Sequence, residues 1–204
     1  MTWYEWTALC SLGFSLGTML VYLIRLIRMG SPKDEAPPAG EVAPAVFYSM
    51  TGAMSPTKKE SAYLHFPTYS AGILFHLGTF LSFFLFFLLW MQIPFPLFLR
   101  LLLSAFLVVT VACGVGILVK RMVKSELRSL SNPDDFLSNI LVTLFQAGTI
   151  LMMSLPEIRA YYFILASFLF LYIPVGKLRH LLYFFAARYQ LGFFFGWRGV
   201  WPPK

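Results

Sequence analysis

Residues 69–91 read YSAGILFHLGTFLSFFLFFLLWM, an unbroken apolar run that carries no fixed charge and a single imidazole, His76. A hydrocarbon layer of about 30 Å is crossed by roughly 20 helical residues, so the run has the length of a membrane helix. Its alternation is too weak for a barrel strand, and it follows Pro67, which suits an early helical position. Reading this stretch as a bilayer span sets the class of the whole chain.

The remaining sequence repeats the pattern. Hydrophobic residues make up 58% of the 204 and charged residues 12%, where a water-soluble domain of ordinary composition carries about 25% charged residues. Further spans are expected at about 7–27, 97–119, 136–155 and 158–187, which makes five with 69–91. The first begins on Trp3, Tyr4 and Trp6, an interfacial aromatic anchor, and is followed by Arg25 and Arg28. It lacks the basic start and short apolar core of a signal peptide. Between the first two spans, about 30–59, lies a linker rich in Pro, Ala and Gly that reads as extended. Asn132 followed by Pro133 is a helix-start signal ahead of the fourth span. Pro174 should kink the fifth. The fold class is therefore an all-α integral membrane protein, a single bundle of five helices over residues 1–204.

Charge gives the orientation. Of the 16 Lys and Arg residues, only Arg100 and Arg159 fall on one side of the expected bundle and the others fall opposite. Positive charge marks the cytoplasmic face, so the N-terminus is expected outside and the C-terminus in the cytoplasm. The formal net charge of +7 is thus a topology signal. A nucleic-acid partner would need a basic face on a soluble fold, and none is expected. Cys10 and Cys113 lie in apolar runs without a metal or redox spacing and read as packing residues. There is no Walker loop, zinc spacing or nucleophile triad, and no catalytic residue is assigned.

The chemistry concentrates on histidine. The chain has three, and an ionisable side chain within or at the edge of a span is costly unless it has a partner or a job. His76 lies near the start of the second span and His180 near the end of the fifth, in the stretch PVGKLRHLLYFFAARYQ (174–190). Antiparallel helices bring those two ends to the same membrane side. Two facing imidazoles would hold one haem b as a six-coordinate, low-spin electron carrier. Gly72, one turn before His76, would let a macrocycle approach the backbone. Lys177 and Arg179 flank His180, and Lys58 and Lys59 sit at the same level. All four are candidates for haem propionates, and equally read as ordinary inside-facing flanking charges. His65, eleven residues before His76, is an alternative partner for His180, a quinone or propionate contact, or a plain interfacial histidine. Glu157 and Arg159 read as a surface pair at the outer turn, and the tail GFFFGWRGVWPPK as an interfacial segment or part of a docking face.

These residues carry a resemblance. Leu74–Gly78 (LFHLG), Pro174-x-x-Lys177-Leu178-x-His180 and the following Arg188-Tyr189-Gln190-Leu191 resemble ligand stretches of the membrane cytochrome b subunit of respiratory nitrate reductases, the gamma-subunit family. Relatives occur in heterodisulfide-reductase-like and sulfite-reduction-associated complexes. The likeness implies that His76 and His180 ligate the haem nearer the cytoplasm, beside an iron–sulfur partner subunit. It also implies electron exchange with menaquinone or ubiquinone in a prokaryotic inner membrane, as the electron-transfer subunit of a quinone oxidoreductase. The family's second ligand pair falls here on Phe86 and Tyr162, which points to a single-haem variant with its quinone site on the cytoplasmic side. His65, Lys58 and Lys59 are the candidates to line that site. A haem-free membrane anchor or small transporter on the same scaffold is the alternative. Transporters more often show inverted repeats and broken helices at midplane, and no internal repeat is evident.

Overall fold

A computed structural model of the chain describes residues 1–30, 35–58, 62 and 64–203. Among the described residues all regular structure is helical: α1 (Trp3–Arg28), α2 (Val42–Met50), α3 (Phe66–Trp90), α4 (Leu97–Val123), α5 (Ser125–Ser129), α6 (Pro133–Ser154), α7 (Arg159–Tyr172) and α8 (His180–Trp197). Helices α1, α3, α4 and α6 are each long and apolar enough to cross a bilayer, and α7 with α8 counts as a fifth span at most. The chain divides into two compact units, Met1–Gly17 with Pro67–Leu178, and Thr18–Phe66 with Arg179–Lys204.

The first unit is built from the start of α1 and from α3, α4, α6 and α7. Its core is aromatic. Phe86, Phe145, Phe163 and Phe170 are fully buried, with Tyr162 among them. Phe145 and Tyr162 stack with ring centroids 5.7 Å apart, and Phe170 meets Phe86 edge-on at 5.0 Å. Such offset and edge-on pairs add about 0.5–1.5 kcal/mol each beyond area burial. Helices α3 and α4 approach closely at Gly78, where a Cβ would come within 2.1 Å of Thr110 Oγ1. Small residues at a crossing are what let helices pack where no hydrophobic effect drives them together.

Helix α6 starts as the sequence signal indicates. Asn132 Oδ1 accepts from the Asp135 backbone N–H and Asp135 Oδ2 from the Asn132 N–H, each at 3.0 Å, with Pro133 opening the helix. This reciprocal cap satisfies two otherwise orphaned donors and is worth about 1 kcal/mol. Asp135 also pairs with Lys177 and lies 3.5 Å from Arg121.

The fifth apolar segment departs from expectation. A single kinked helix over 158–187 is not formed. Instead α7 ends at Tyr172 and a 3₁₀ turn covers Lys177–Arg179 before α8 begins at His180. Pro174 has no N–H to continue the ladder. The Val175 and Gly176 N–H groups both turn back onto the Tyr172 carbonyl, at 3.1 and 2.8 Å. The Tyr172 ring occupies the space beside Gly176, where a Cβ would come within 2.2 Å of it.

In the second unit, the linker expected to be extended folds. Val42–Met50 forms α2 and lies on α8. Contact is close because Gly192 and Gly196 present no side chain: a Cβ would meet Val46 Cα at 2.5 Å and Ala45 Cβ at 2.6 Å respectively. Polar bonds fix the register. Ser49 Oγ donates to the Arg188 carbonyl at 2.7 Å, and Arg188 Nε returns to the Ser49 carbonyl at 2.7 Å. Trp197 Nε1 donates to the Ala36 carbonyl at 2.7 Å. The aromatic tail is part of the same unit, with Phe195 and Trp201 centroids 4.6 Å apart.

Candidate functional site

His76 sits in the third turn of α3 with its side chain exposed. Its Nδ1 lies 2.7 Å from the Gly72 carbonyl, one helical turn earlier. A carbonyl oxygen can only accept, so Nδ1 carries the hydrogen of this bond. Metal-ligating histidines show this arrangement, with one ring nitrogen anchored to a carbonyl so that the other is oriented and more basic. The donor is therefore of the chemistry that holds a haem iron. A Cβ built on Gly72 meets nothing within 4 Å, so the backbone one turn before His76 borders open space.

The turn that carries His76 is held from behind. Phe75 packs its ring on Gly114 of α4, where a Cβ would come within 2.5 Å of the ring. Gln146, fully buried in α6, donates from Nε2 to the Phe75 carbonyl at 3.1 Å and to Thr79 Oγ1 at 2.9 Å. Thr110 Oγ1 of α4 donates to Gln146 Oε1 at 2.7 Å. One fully buried amide thus ties three helices, at a position where an unmet polar group is costly.

The other candidate residues are distributed as follows. His180 is the first residue of α8 and Arg179 its N-cap, both exposed. His65, also exposed, immediately precedes α3, and Lys58 closes the 3₁₀ turn Pro56–Lys58. Lys59 lies outside the described residues. His76, Gly72 and Lys177 belong to the first unit, whereas His65, Lys58, Arg179 and His180 belong to the second. Lys177 is engaged by the buried Asp135 carboxylate. Among the described residues, no group of three or more His, Cys, Asp or Glu side chains is arranged for a metal ion. An iron held in a porphyrin by two imidazoles asks for no such group.

Phe86 and Tyr162, where the family's second ligand pair falls, are sealed into the aromatic core with their centroids 6.3 Å apart. The Tyr162 hydroxyl lies 3.3 Å from Thr149 Oγ1. Phe145 and Phe163 also pack against both rings, leaving no room there for a macrocycle.

The expected Glu157–Arg159 pair is replaced by a different one. Arg159 Nε donates to Glu5 Oε1 at 2.7 Å, and its Nη1 and Nη2 reach the carbonyls of Leu89 and Trp90 at 3.1 and 3.3 Å. Glu5 is buried while Glu157 is exposed. The signal available in the sequence was a lone carboxylate, Glu5, inside the aromatic start of the first span. No family model, no curated protein and no solved structure matches the chain.

Proposed function

We propose that this chain is the haem b membrane subunit of a respiratory redox complex, carrying electrons between membrane quinone and a cytoplasmic iron–sulfur partner. On this reading it sits in a prokaryotic inner membrane with its N-terminus outside and its C-terminus in the cytoplasm. The broken α7–α8 pair then serves as the fifth span. The observation that carries the reading is His76 on a bilayer-length helix, with Nδ1 anchored on the Gly72 carbonyl and open space beside that glycine.

His76 and His180 would be the two residues that hold one haem. When bound, that group supplies a one-electron carrier with no open position for oxygen. The chain's own part is to hold His76 in one tautomer through Gly72 and to fix its turn through Gln146. Arg179 is the proposed propionate partner next to His180. Lys177, already matched by Asp135, would contribute by sharing its charge. The core packing at Phe86 and Tyr162 supports a single haem. His65, Lys58 and Lys59 remain the proposed lining of a cytoplasmic-side quinone site.

The test is a reduced-minus-oxidised absorption spectrum of the native complex, with haem counted per chain, repeated for His76→Ala and His180→Ala. One haem per chain, lost in both variants, is the expected result. Two haems would remove the single-haem reading. No haem would leave the alternative, a haem-free membrane anchor or small transporter subunit, which the Lys177–Asp135 pair favours because it satisfies that cation without a cofactor.

A further inference from the structure

At the opposite end of the first unit from His76, where α3 ends and α4 and α7 begin, a cleft of about 360 Å³ opens. Apolar side chains line much of it, including Ile93, Phe95 and Met152, and its polar groups are Gln92, Arg100 and Arg159. The two cations that stand apart from the other Lys and Arg residues in the sequence are therefore gathered at one cleft. Their states differ. Arg159 is matched by Glu5 and by two backbone carbonyls, and lies over the Phe163 ring at 5.0 Å. Arg100, in the first turn of α4, reaches among the described residues only the Met153 carbonyl, 3.5 Å from Nη1 and at the limit of a hydrogen bond. The cleft thus carries one positive charge that the described residues leave without a counter-ion.

The span end is the depth of lipid headgroups, and the charge chemistry by which basic pockets between membrane helices bind anionic heads on the cytoplasmic side holds equally at this end. A guanidinium fork matches the oxygens of a phosphate in a bidentate way. A neutral quinone carbonyl would offset no charge here. We propose that the cleft seats the phosphodiester of an anionic phospholipid, with Arg100 as its counter-ion and the apolar wall taking the glycerol and upper acyl chain. This inference is independent of the haem reading and stands or falls without it.

The full chain would be placed in phosphatidylcholine nanodiscs containing increasing phosphatidylglycerol. Retained lipid would be counted by native mass spectrometry, and the thermal midpoint followed. Arg100→Gln should weaken phosphatidylglycerol retention by roughly tenfold or more, the equivalent of one charge-assisted pair. Arg128→Gln, an exposed charge on α5, should leave it unchanged. Because each variant is compared with itself in phosphatidylcholine alone, a general loss of stability does not mimic the effect. Retention that survives Arg100→Gln, or falls equally in Arg128→Gln, would overturn the proposal. So would the same protection from inorganic phosphate in detergent, which would assign the cleft to a free anion, or from a short-chain quinone.

Discussion

Gln146 Nε2 donates to the carbonyl of Phe75, 3.1 Å away and one residue before His76. The same amide accepts from Thr110 and donates to Thr79, so α3, α4 and α6 meet on one side chain. Hydrogen bonds between membrane helices average about 0.6 kcal/mol each. Gln146→Leu keeps the approximate volume and removes all three. Thr79 keeps its bond to the Phe75 carbonyl, and the Thr110 hydroxyl hydrogen can turn from Gln146 to the Leu107 carbonyl, also in reach, which limits the damage. The expected loss is about 1–2 kcal/mol in detergent unfolding, and an unchanged stability would show that the node does not hold the bundle.

The Glu5–Arg159 pair calls for a stronger response. Glu5 is 3% exposed and Arg159 18% at the side chain. Removing one partner of a buried pair strands the other charge and costs about 3–5 kcal/mol. Glu5→Gln should fall at or below the low end, because Arg159 keeps its carbonyl partners Leu89 and Trp90. Glu5→Gln combined with Arg159→Met should cost less than the two single losses added. A strictly additive double-mutant cycle would mean that the two side chains do not interact.

The pair also shows where the sequence stops being legible. Apolar runs are local signals, and the starts and ends of α3, α4 and α6 lie within a few residues of the spans they predict, with Asn132 capping α6. Glu5 and Arg159, by contrast, are 154 residues apart, and the nearer Glu157 was the natural partner to expect. Pro174 was legible as a disruption but not as a complete break, because that depended on Gly176 yielding its space to the Tyr172 ring. The helix at Val42–Met50 was hidden by the Pro-, Ala- and Gly-rich composition around it. Its signal lay in two spacings of four, Ala45 with Ser49 and Gly192 with Gly196, which only make sense together. For the candidate site, His76 and Gly72 could be read as one helical turn, whereas the Gln146 node behind them appeared only as one polar residue among several.

Gly196 tests the docking of α2 on α8. A Cβ there meets Ala45 Cβ at 2.6 Å and Glu41 O and Val42 Cα at 3.0 Å, and two of these three atoms are backbone. Gly196→Val should push α2 away, at about 1–3 kcal/mol for an overpacked contact, and expose residues 35–58 to protease. Gly17→Val, whose Cβ meets nothing within 4 Å and which lies in the other unit, is the control for the substitution itself. Equal cleavage rates for both variants would show that α2 is not held by this contact.

Gly72 separates the two functional readings. Its Cβ position is empty to 4 Å, and alanine is favoured over glycine in a helix interior by about 0.8–1 kcal/mol. Gly72→Ala should therefore raise the stability of the protein stripped of cofactor, whatever the chain does. If a macrocycle lies against this turn, however, a side chain at position 72 competes with it directly. Gly72→Leu should then lower haem per chain in the native complex while His76 and its carbonyl partner remain in place, since the bond uses the residue 72 backbone. Haem content unchanged in Gly72→Leu but lost in His76→Ala would keep His76 as a ligand and move the macrocycle to another side of α3.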